Sequence, residues 1–202
     1  MYQNDAQKCL TGEVRLSYCN LTQPKLPPNS TNPADAKYSV TLLIPKTDTH
    51  TIADIRAAIE AAALEAVGSK WNGVRPPNLD SIIHDGDGVK STGMPYGDEC
   101  KGCWVITAST KNKPQVVHIS DINNELAPQD IYSGMFGRVT IRFYGYNSNN
   151  KRGVGCGLGN VLKTREGDPL SGGASAASDF AGIVPVAPAN GVAINPLTGQ
   201  PM

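Results

Sequence analysis

The sequence predicts a mainly β fold, a small β-barrel capped by one helix. Glycine and proline are frequent, with 21 and 15 of the 202 residues, and this composition favours turns and short strands over a helical bundle. Several short segments alternate between apolar and polar residues, as half-buried strands do. A single long segment has the period of an amphipathic helix.

The first two strands are predicted on either side of a loop rich in proline and asparagine. Residues 13–19 (EVRLSYC) alternate, with Val14, Leu16 and Tyr18 on the apolar face. Residues 37–44 (KYSVTLLI) form the second strand, which a proline ends.

The helix is predicted over residues 51–67 (TIADIRAAIEAAALEAV). Thr51 and Asp54 have the spacing of a capping box, with aspartate in place of the usual glutamate, and Gly68 is a typical stop. One apolar stripe faces the sheet and is formed by Ile52, Ile55 and Ile59.

The second half of the chain is predicted as loops, one further strand and a hairpin. Residues 70–102 are loop-like, and residues 103–110 (CWVITAST) form a strand. Residues 111–135 mix charged turns with short apolar pieces. Residues 136–146 and 152–163 then pair as a hairpin over the short turn between them.

The composition changes at Ser171. Residues 171–202 contain no Lys or Arg and one acid, Asp179, and small residues and prolines dominate. Such a segment cannot bury enough apolar surface to form a core. We therefore expect a folded domain over residues 1–170 and a flexible tail over residues 171–202.

The formal net charge is zero, but the charge is unevenly distributed. Residues 101–165 carry nine basic and three acidic side chains. A basic block in a neutral chain suggests a local surface for an anionic partner. Charge alone is equally compatible with a solvated face that keeps the protein soluble.

The stretch FYGYNSNNKRGVGCGLGNVL, residues 143–162, raises the question of a phosphate-binding loop. The spacing of a dinucleotide fingerprint fails from Gly153 and from Gly155, and the sequence has no Walker motif. Glycines instead alternate with apolar residues, so one strand face carries all of them. Such a face admits a flat ring or a second backbone, or packs tightly inside the fold. The glycines are Gly153, Gly155, Gly157 and Gly159.

The preceding strand separates apolar from basic and aromatic side chains. Its apolar face consists of Val139, Ile141 and Phe143, and its other face consists of Arg138, Thr140, Arg142, Tyr144 and Tyr146. Aromatic rings stack on bases and guanidinium groups hold phosphates, so the second face is typical of a platform for single-stranded nucleic acid. Lys151 and Arg152 extend its charge. The alternative is a two-sided core with the tyrosines packed inward.

Three residues near the strand 103–110 are weaker candidates. Lys111 and Lys113 follow the strand and could track a phosphate backbone beside the hairpin, although paired lysines in a turn are usually only solvated. Trp104 could stack on a base, but a tryptophan that opens a strand is more often part of the core.

The sequence contains no convincing metal or catalytic site. CKGC, residues 100–103, has the spacing of half a zinc site or of a redox pair, but there is no second CxxC pair. Other ligands, His84, Cys9 and Cys19, would join only through the fold. Four carboxylates lie in a context typical of turns: Asp85, Asp87, Asp98 and Glu99. We expect no cofactor, no metal ion and no enzymatic activity.

The N-terminus lacks a basic end followed by an apolar run, and no segment has the roughly 20 apolar residues of a membrane helix. Five cysteines with irregular spacing also argue against a disulfide framework. We expect a cytosolic protein without a membrane partner.

Five segments, taken in order, resemble the OB-fold single-stranded DNA-binding proteins of tailed bacteriophages, and more narrowly a phage family long carried as a domain of unknown function. The likeness runs from residue 11 to residue 180. The segments are TGEVRLSYCNLTQPK, KYSVTLLIPKTD, WVITASTKNKPQVV, YSGMFGRVTIRFYGYN and KRGVGCGLGNVLKTREGDPL.

This resemblance implies a five-stranded OB-fold barrel with one helix and a nucleic-acid groove across the sheet. It implies protection of single-stranded DNA during phage replication or recombination, without catalysis, in the cytoplasm of the bacterial host. Together with the face assignment, it maps the nucleic-acid contacts to Arg15, Lys37, Trp104, Lys111, Lys113, Arg138, Arg142, Tyr144, Tyr146, Lys151 and Arg152.

The tail departs from the family pattern. Proteins of this kind often end in an acidic tail with an aromatic tip that recruits phage replication or recombination proteins, and SDF at residues 178–180 is similar to such a tip. Nearly neutral residues follow it, which puts that role in doubt.

The sequence also leaves open whether the protein forms a homodimer. The rival functions are a β-rich virion structural or assembly protein and a metal-assisted nuclease.

Overall fold

The structure is a computed structural model. The predicted tail, residues 171–202, lies outside the part of the chain that it describes. The described residues are 2–27, 30–77, 79, 82–148 and 151–170.

Within these residues the chain forms nine β-strands and one α-helix. The strands are β1 (Lys8–Leu10), β2 (Val14–Lys25), β3 (Lys37–Pro45), β4 (His84–Asp85), β5 (Cys103–Thr110), β6 (Val116–His118), β7 (Asp121–Glu125), β8 (Phe136–Ser148) and β9 (Lys151–Arg165). The helix, α1, is Thr49–Ser69, and short 3-10 turns occupy Pro33–Asp35, Asp98–Cys100 and Pro128–Asp130.

Five of the strands close into a ring. β2 pairs with β3, β3 with β5, β5 with β9, β9 with β8, and β8 returns to β2. Every pairing in the ring is antiparallel except that between β5 and β9, which is parallel. The prediction of a mainly β fold with five principal strands and one helix is confirmed.

Four short strands flank the ring and were not predicted. β1 pairs with β8, β4 pairs with β5, and the β6–β7 hairpin extends the sheet beyond β9. Periodicity could not reveal them because β1, β4 and β6 are only two or three residues long. All residues of β7 are exposed, so β7 has no apolar face to detect.

The core lies inside the ring and under α1. Alternate residues of the ring strands supply it, including Val14, Leu42, Ile106 and Phe143, all of which are fully buried. The predicted isoleucine stripe of α1 is buried with four alanines, Ala58, Ala62, Ala63 and Ala66. A Cβ at Gly145 would collide with the Ala66 side chain, so glycine is what lets the helix lie close against β8.

The helix is longer than predicted and is capped differently. Asp48 is the N-cap, and its Oδ1 accepts a hydrogen bond of 3.0 Å from the Thr51 amide. The Thr51 hydroxyl instead accepts from the Gly12 amide at 2.8 Å, so the predicted capping box is wrong. Gly68 lies inside the last turn, and α1 ends at Ser69.

The strand β2 differs most from its prediction. It continues to Lys25 through segments predicted as loop, and its register with β3 shifts between Ser17 and Asn20. At this bulge Tyr18 has a φ of 47° and is 66% exposed. The prediction that Tyr18 shares the buried face of Val14 and Leu16 is therefore wrong, since a bulge reverses the alternation.

The other predicted strands agree closely with the structure. β5 has the predicted bounds, and β3 is longer by one residue, Pro45. The β8–β9 hairpin is longer than predicted, because pairing continues to Ser148 and Lys151. Residues 149 and 150, which join the two strands, lie outside the described residues.

Candidate nucleic-acid interface

The tyrosines of β8 lie against the glycines of β9 on the outer face of the hairpin. Tyr144 pairs with Gly155 and Tyr146 with Gly153. A Cβ at Gly155 would lie 2.7 Å from the Tyr144 Cζ, and one at Gly153 would lie 2.9 Å from the Tyr146 hydroxyl oxygen. The flat rings that these glycines admit are therefore the chain's own, and each ring covers a glycine of the neighbouring strand.

Both rings remain accessible to a ligand. Tyr144 is 41% exposed and Tyr146 is 37% exposed, while Val154, Cys156 and Leu158 are buried on the opposite face of β9. Partial burial raises the pKa of Tyr144 above its ordinary value. One side of each ring packs against a glycine of β9, and the other side is exposed to solvent. Base stacking requires this arrangement.

The end of α1 fixes the tip of the hairpin. The Trp71 indole nitrogen donates to the Tyr146 carbonyl at 2.8 Å, and the Lys70 Nζ donates to the Gly145 carbonyl at 2.9 Å. Arg152 donates in turn to the Trp71 carbonyl at 3.2 Å. Because Trp71 is fully buried, these bonds hold the tyrosine-bearing segment on a rigid base.

Basic side chains lie on the same hairpin as the two rings. The Arg142 Nε lies 3.1 Å from the Asp5 carboxylate, yet the side chain is 59% exposed. Lys151 and Arg152 are exposed at the tip of the hairpin. Lys151 shares the strand face of the glycines and the tyrosines, whereas Arg152 alternates onto the opposite face, where it bonds to Trp71. We call the group of Arg142, Tyr144, Tyr146, Lys151 and Arg152 the tyrosine platform.

A groove of about 380 Å³ lies on the outer face of β2, β3 and β5. Thr41 and Thr107 lie in it side by side, with their hydroxyl oxygens 3.1 Å apart. The segment that follows β4 forms one wall, where Lys90 lies 5.4 Å from the centre of the Tyr96 ring. Tyr18 of β2 also lines the groove. The face of the second and third ring strands is where OB-folds bind oligonucleotides.

A row of paired residues joins the groove to the tyrosine platform. Ser39 on β3 pairs with Ser109 on β5, Ser109 pairs with Gly157 on β9, and Gly157 pairs with Arg142 on β8. Ser39 and Ser109 have small side chains and Gly157 has none, so Arg142 is the first long side chain in this row. Neighbouring strands lie about 4.8 Å apart, so β5 and β8 are separated by about 10 Å. One extended oligonucleotide can therefore reach both surfaces.

The other predicted basic residues lie at several places. Lys37 is half-buried at the start of β3, opposite Lys25 on β2. Lys111 is exposed directly after β5, and Lys113 forms an ion pair of 3.0 Å with Glu125. Arg138 is exposed, and its Nε donates to the Thr11 carbonyl at 2.9 Å. None of these side chains belongs to the tyrosine platform as the structure describes it.

Two predicted residues have contacts within the fold. The Arg15 guanidinium donates to the Asp168 carbonyl at 2.8 Å and thereby holds the segment that follows β9. Trp104 is half-buried and packs against the core, with the Lys46 Nζ 4.9 Å from the centre of its ring and the Arg56 guanidinium 5.9 Å away. The structure therefore brings neither side chain to the platform or to the groove.

Three of the four candidate carboxylates, Asp85, Asp87 and Asp98, form ion pairs within the protein. The Lys46 Nζ lies 2.5 Å from Asp85 and 2.7 Å from Asp87, and the Gly102 amide donates to Asp87 at 2.9 Å. Hydrogen bonds from Lys46 lower the pKa of both carboxyl groups. Asp98 pairs with Lys101 at 2.7 Å. In the described part of the chain, no cluster of three or more His, Cys, Asp and Glu side chains could hold a metal ion.

Sequence reasoning missed the aromatic and basic residues of the groove. They are Tyr18, His84, Lys90 and Tyr96. No periodic signal marks the last three, because they lie in or beside an irregular segment. Tyr18 could have been found only by anticipating the bulge in β2.

Among the described helices, α1 included, none has the length and apolar character needed to cross a membrane.

Comparison with known proteins agrees with this architecture. A family model described as the ssDNA-binding protein of Enterobacter phage Enc34 matches residues 7–188. Protein p50 of Acyrthosiphon pisum secondary endosymbiont phage 1 is 31% identical over 170 residues, which make up 80% of this chain and 88% of p50.

Solved structures show the same fold. The single-stranded DNA-binding protein from bacteriophage Enc34 in complex with ssDNA is 26% identical, with a TM-score of 0.67 over 82% of this chain and 90% of that one. The single-stranded DNA-binding protein gp2.5 of bacteriophage T7 is 15% identical, with a TM-score of 0.53 over 83% and 98% of the two chains, and shows likeness of fold alone. Because the family model spans most of its length, this chain belongs to the family of the ssDNA-binding protein of Enterobacter phage Enc34.

Proposed function

We propose that this protein is a non-enzymatic single-stranded DNA-binding protein that coats and protects single strands during phage DNA replication or recombination. The observation that carries the proposal is the tyrosine platform. Two tyrosine rings lie on glycines with their outer sides exposed, and the same hairpin carries the exposed basic side chains of Arg142 and Lys151. Membership in the Enc34 family supports the same conclusion.

The platform and the groove supply the two kinds of contact that such binding needs. Bases stack on Tyr144 and Tyr146, and stacking tolerates any sequence because every base has a π face. Arg142, Lys151 and Arg152 neutralise phosphates and release counterions from the strand. The groove receives the neighbouring nucleotides against the hydroxyl groups of β3 and β5.

A titration of intrinsic fluorescence with oligo-dT at several salt concentrations tests the proposal. We expect the fluorescence to be quenched, and we expect log K to fall with log salt by about 0.7 for each phosphate neutralised. If oligo-dT causes no quenching and binding has no salt dependence, the proposal is wrong.

The double variant Y144A/Y146A tests the platform itself. Removing the rings should weaken binding by about 1–3 kcal/mol for each stacked base. The salt dependence should stay close to that of the wild type, because no charge is removed. Unchanged affinity in the double variant would show that the bases stack elsewhere.

We also propose the setting of this activity. The protein acts in the cytoplasm of the bacterial host, and it contacts phage replication or recombination proteins through residues 171–202. Co-purification of phage proteins with the full chain, but not with a chain that ends at residue 170, would support this contact. Sedimentation of the free protein decides whether it is a homodimer.

The rival functions have less support. A virion assembly protein needs no exposed basic and aromatic face, and buried tyrosines would have favoured it, but Tyr144 and Tyr146 are exposed. A metal-assisted nuclease would use the carboxylates near β4, but Asp85 and Asp87 are both bound to Lys46. Incubation of single-stranded DNA with the protein and magnesium should leave the DNA intact.

A further inference from the structure

Tyr18 is exposed, has an unusual backbone conformation and lies in the groove. Its side chain is 66% exposed, more than either tyrosine of the platform. Its backbone has a φ of 47°, a left-handed conformation that is rare for a bulky residue. It also lines the groove on the outer face of β2, β3 and β5. Strained backbone of this kind concentrates at ligand-binding positions.

The bulge in β2 is what aims Tyr18 at the groove. Ser17 pairs with Thr41, but the next pair is Asn20 with Ser39, so the register shifts between them. Without this shift, alternation would bury Tyr18 beside Leu16. β-Bulges commonly re-aim a side chain next to a functional site.

Hydrogen bonds on both sides hold the bulge in place. The Cys19 amide donates to the Ser133 hydroxyl at 3.0 Å. The Asn20 side-chain amide donates to the Tyr18 carbonyl and to the Ser39 hydroxyl, both at 3.2 Å. The surrounding structure therefore maintains the unusual backbone rather than merely tolerating it.

The rest of the groove is suited to a flat ligand with an anionic linkage. Its wall carries two more rings, His84 and Tyr96, whose centres are 6.4 Å apart. The Lys90 ammonium beside Tyr96 provides positive charge. Thr41 and Thr107 offer hydroxyl groups that can donate or accept hydrogen bonds. The lining also includes the Glu99 carboxylate, so Lys90 supplies a local positive charge and not a basic groove. A nucleobase matches the aromatic and hydroxyl groups, and its phosphate matches Lys90.

We propose that Tyr18 stacks on a nucleobase of single-stranded DNA seated in the groove, as a stacking position separate from the tyrosine platform. This inference rests on the proposed function and extends it to a residue outside the predicted site. The left-handed backbone at Tyr18 serves to present the ring to that base.

Three variants of Tyr18 test this inference by oligo-dT titration. Y18A should lower the affinity by about 5- to 150-fold, the equivalent of one lost stacking contact. Y18F keeps the ring and should recover most of the affinity that Y18A loses. L64A removes an apolar side chain of similar exposure on α1 and should bind as the wild type does.

Y18G separates the ring from the backbone strain. It lacks the ring, as Y18A does, and should show the same loss of affinity. Because glycine adopts a positive φ without steric cost, the midpoint of its urea unfolding should lie above that of Y18A. Because Y18G relieves the backbone strain, an equal loss of affinity in both variants assigns that loss to the missing ring. A tyrosine kept only for packing would leave the affinity unchanged.

The results distinguish the two proposals. If wild-type protein fails to bind oligo-dT, the proposed function is wrong. If wild-type protein binds and Y18G or Y18A binds equally tightly at the same salt concentration, the role of Tyr18 is wrong while the proposed function stands. If Y18A does not fold, Y18G decides the question.

Discussion

At the scale of single residues, glycine and tyrosine act as pairs across β8 and β9. A glycine in a strand weakens it, because glycine has no side chain to pack and loses much conformational freedom on folding. Here the ring of Tyr144 or Tyr146 covers the opposite glycine and restores apolar contact. The same contact keeps the outer side of each ring turned toward solvent, so stability and binding depend on the same pair.

The variant G155A tests this coupling without removing any residue that we expect to contact DNA. Its new Cβ would lie 2.7 Å from the Tyr144 Cζ, so the ring must move away from the sheet. Because the atoms that the new Cβ meets lie at the far end of a side chain and not in the backbone, we expect the fold to persist while the oligo-dT affinity falls severalfold. Fluorescence titration measures the affinity, and circular dichroism checks the fold.

G157A is the matched control for G155A. Its Cβ would come no closer than 3.8 Å to the Tyr144 ring, although it would lie 3.2 Å from the Arg142 carbonyl. We therefore expect a smaller loss of affinity from G157A than from G155A. Equal losses would indicate that the glycine face contacts the DNA directly, rather than positioning the tyrosine.

At the scale of elements, irregular segments shape the groove more than the strands do. The wall after β4 is attached to the ring by a short pairing with β5 and by the bonds of Lys46 to Asp85 and Asp87. The amide of Gly86 also donates to the Cys103 carbonyl at 2.9 Å. A Cβ at Gly86 would collide with the Cys100 carbonyl, so the wall lies tightly against the start of β5.

The acidic side chains of this wall predict a dependence on pH. Bonds from Lys46 lower the pKa of Asp85 and Asp87 below the ordinary value of 3.8. A carboxyl with a lowered pKa in the folded state stabilises the fold above its unfolded pKa, and this contribution is lost as the pH falls through the folded pKa. We expect the wall to loosen below about pH 3.8, which hydrogen exchange of residues 84–102 would detect.

The variant K46M provides the control for this prediction. It removes the cation that both carboxylates share, so its wall should already exchange faster at pH 7, and lowering the pH should add little. If the wild type and K46M respond to acid in the same way, Lys46 does not hold the wall.

At the scale of the whole molecule, the described residues contain both the groove and the tyrosine platform. The segment after β9 still contributes, since Arg15 holds Asp168 and Leu170 packs near Leu43 and Val105. We therefore expect a chain that ends at residue 170 to unfold cooperatively in urea and to bind oligo-dT with an affinity near that of the full chain. Loss of cooperative unfolding in the shortened chain would show that the tail belongs to the folded domain.

Particular residues show how far sequence reasoning reached. The alternation of Val139, Ile141 and Phe143 predicted the buried face of β8, and the same period placed Tyr144 and Tyr146 on the other side. Trp104, predicted as a stacking candidate with the core as the alternative, is half-buried and packs against the core. The role of each basic residue in binding DNA stays a prediction.

The sequence by itself determined the features that depend on local period and composition: the helix, the long strands, and the division of β8 into an apolar face and a basic, aromatic face. Only the tertiary structure decided which strands pair to close the ring, how the wall of the groove forms and that Tyr18 turns outward. Each of these depends on partners far along the chain, such as Ser133 for the bulge and Lys46 for the wall. The local sequence pattern cannot identify such partners, because alternation indicates only which side of a regular strand a residue occupies.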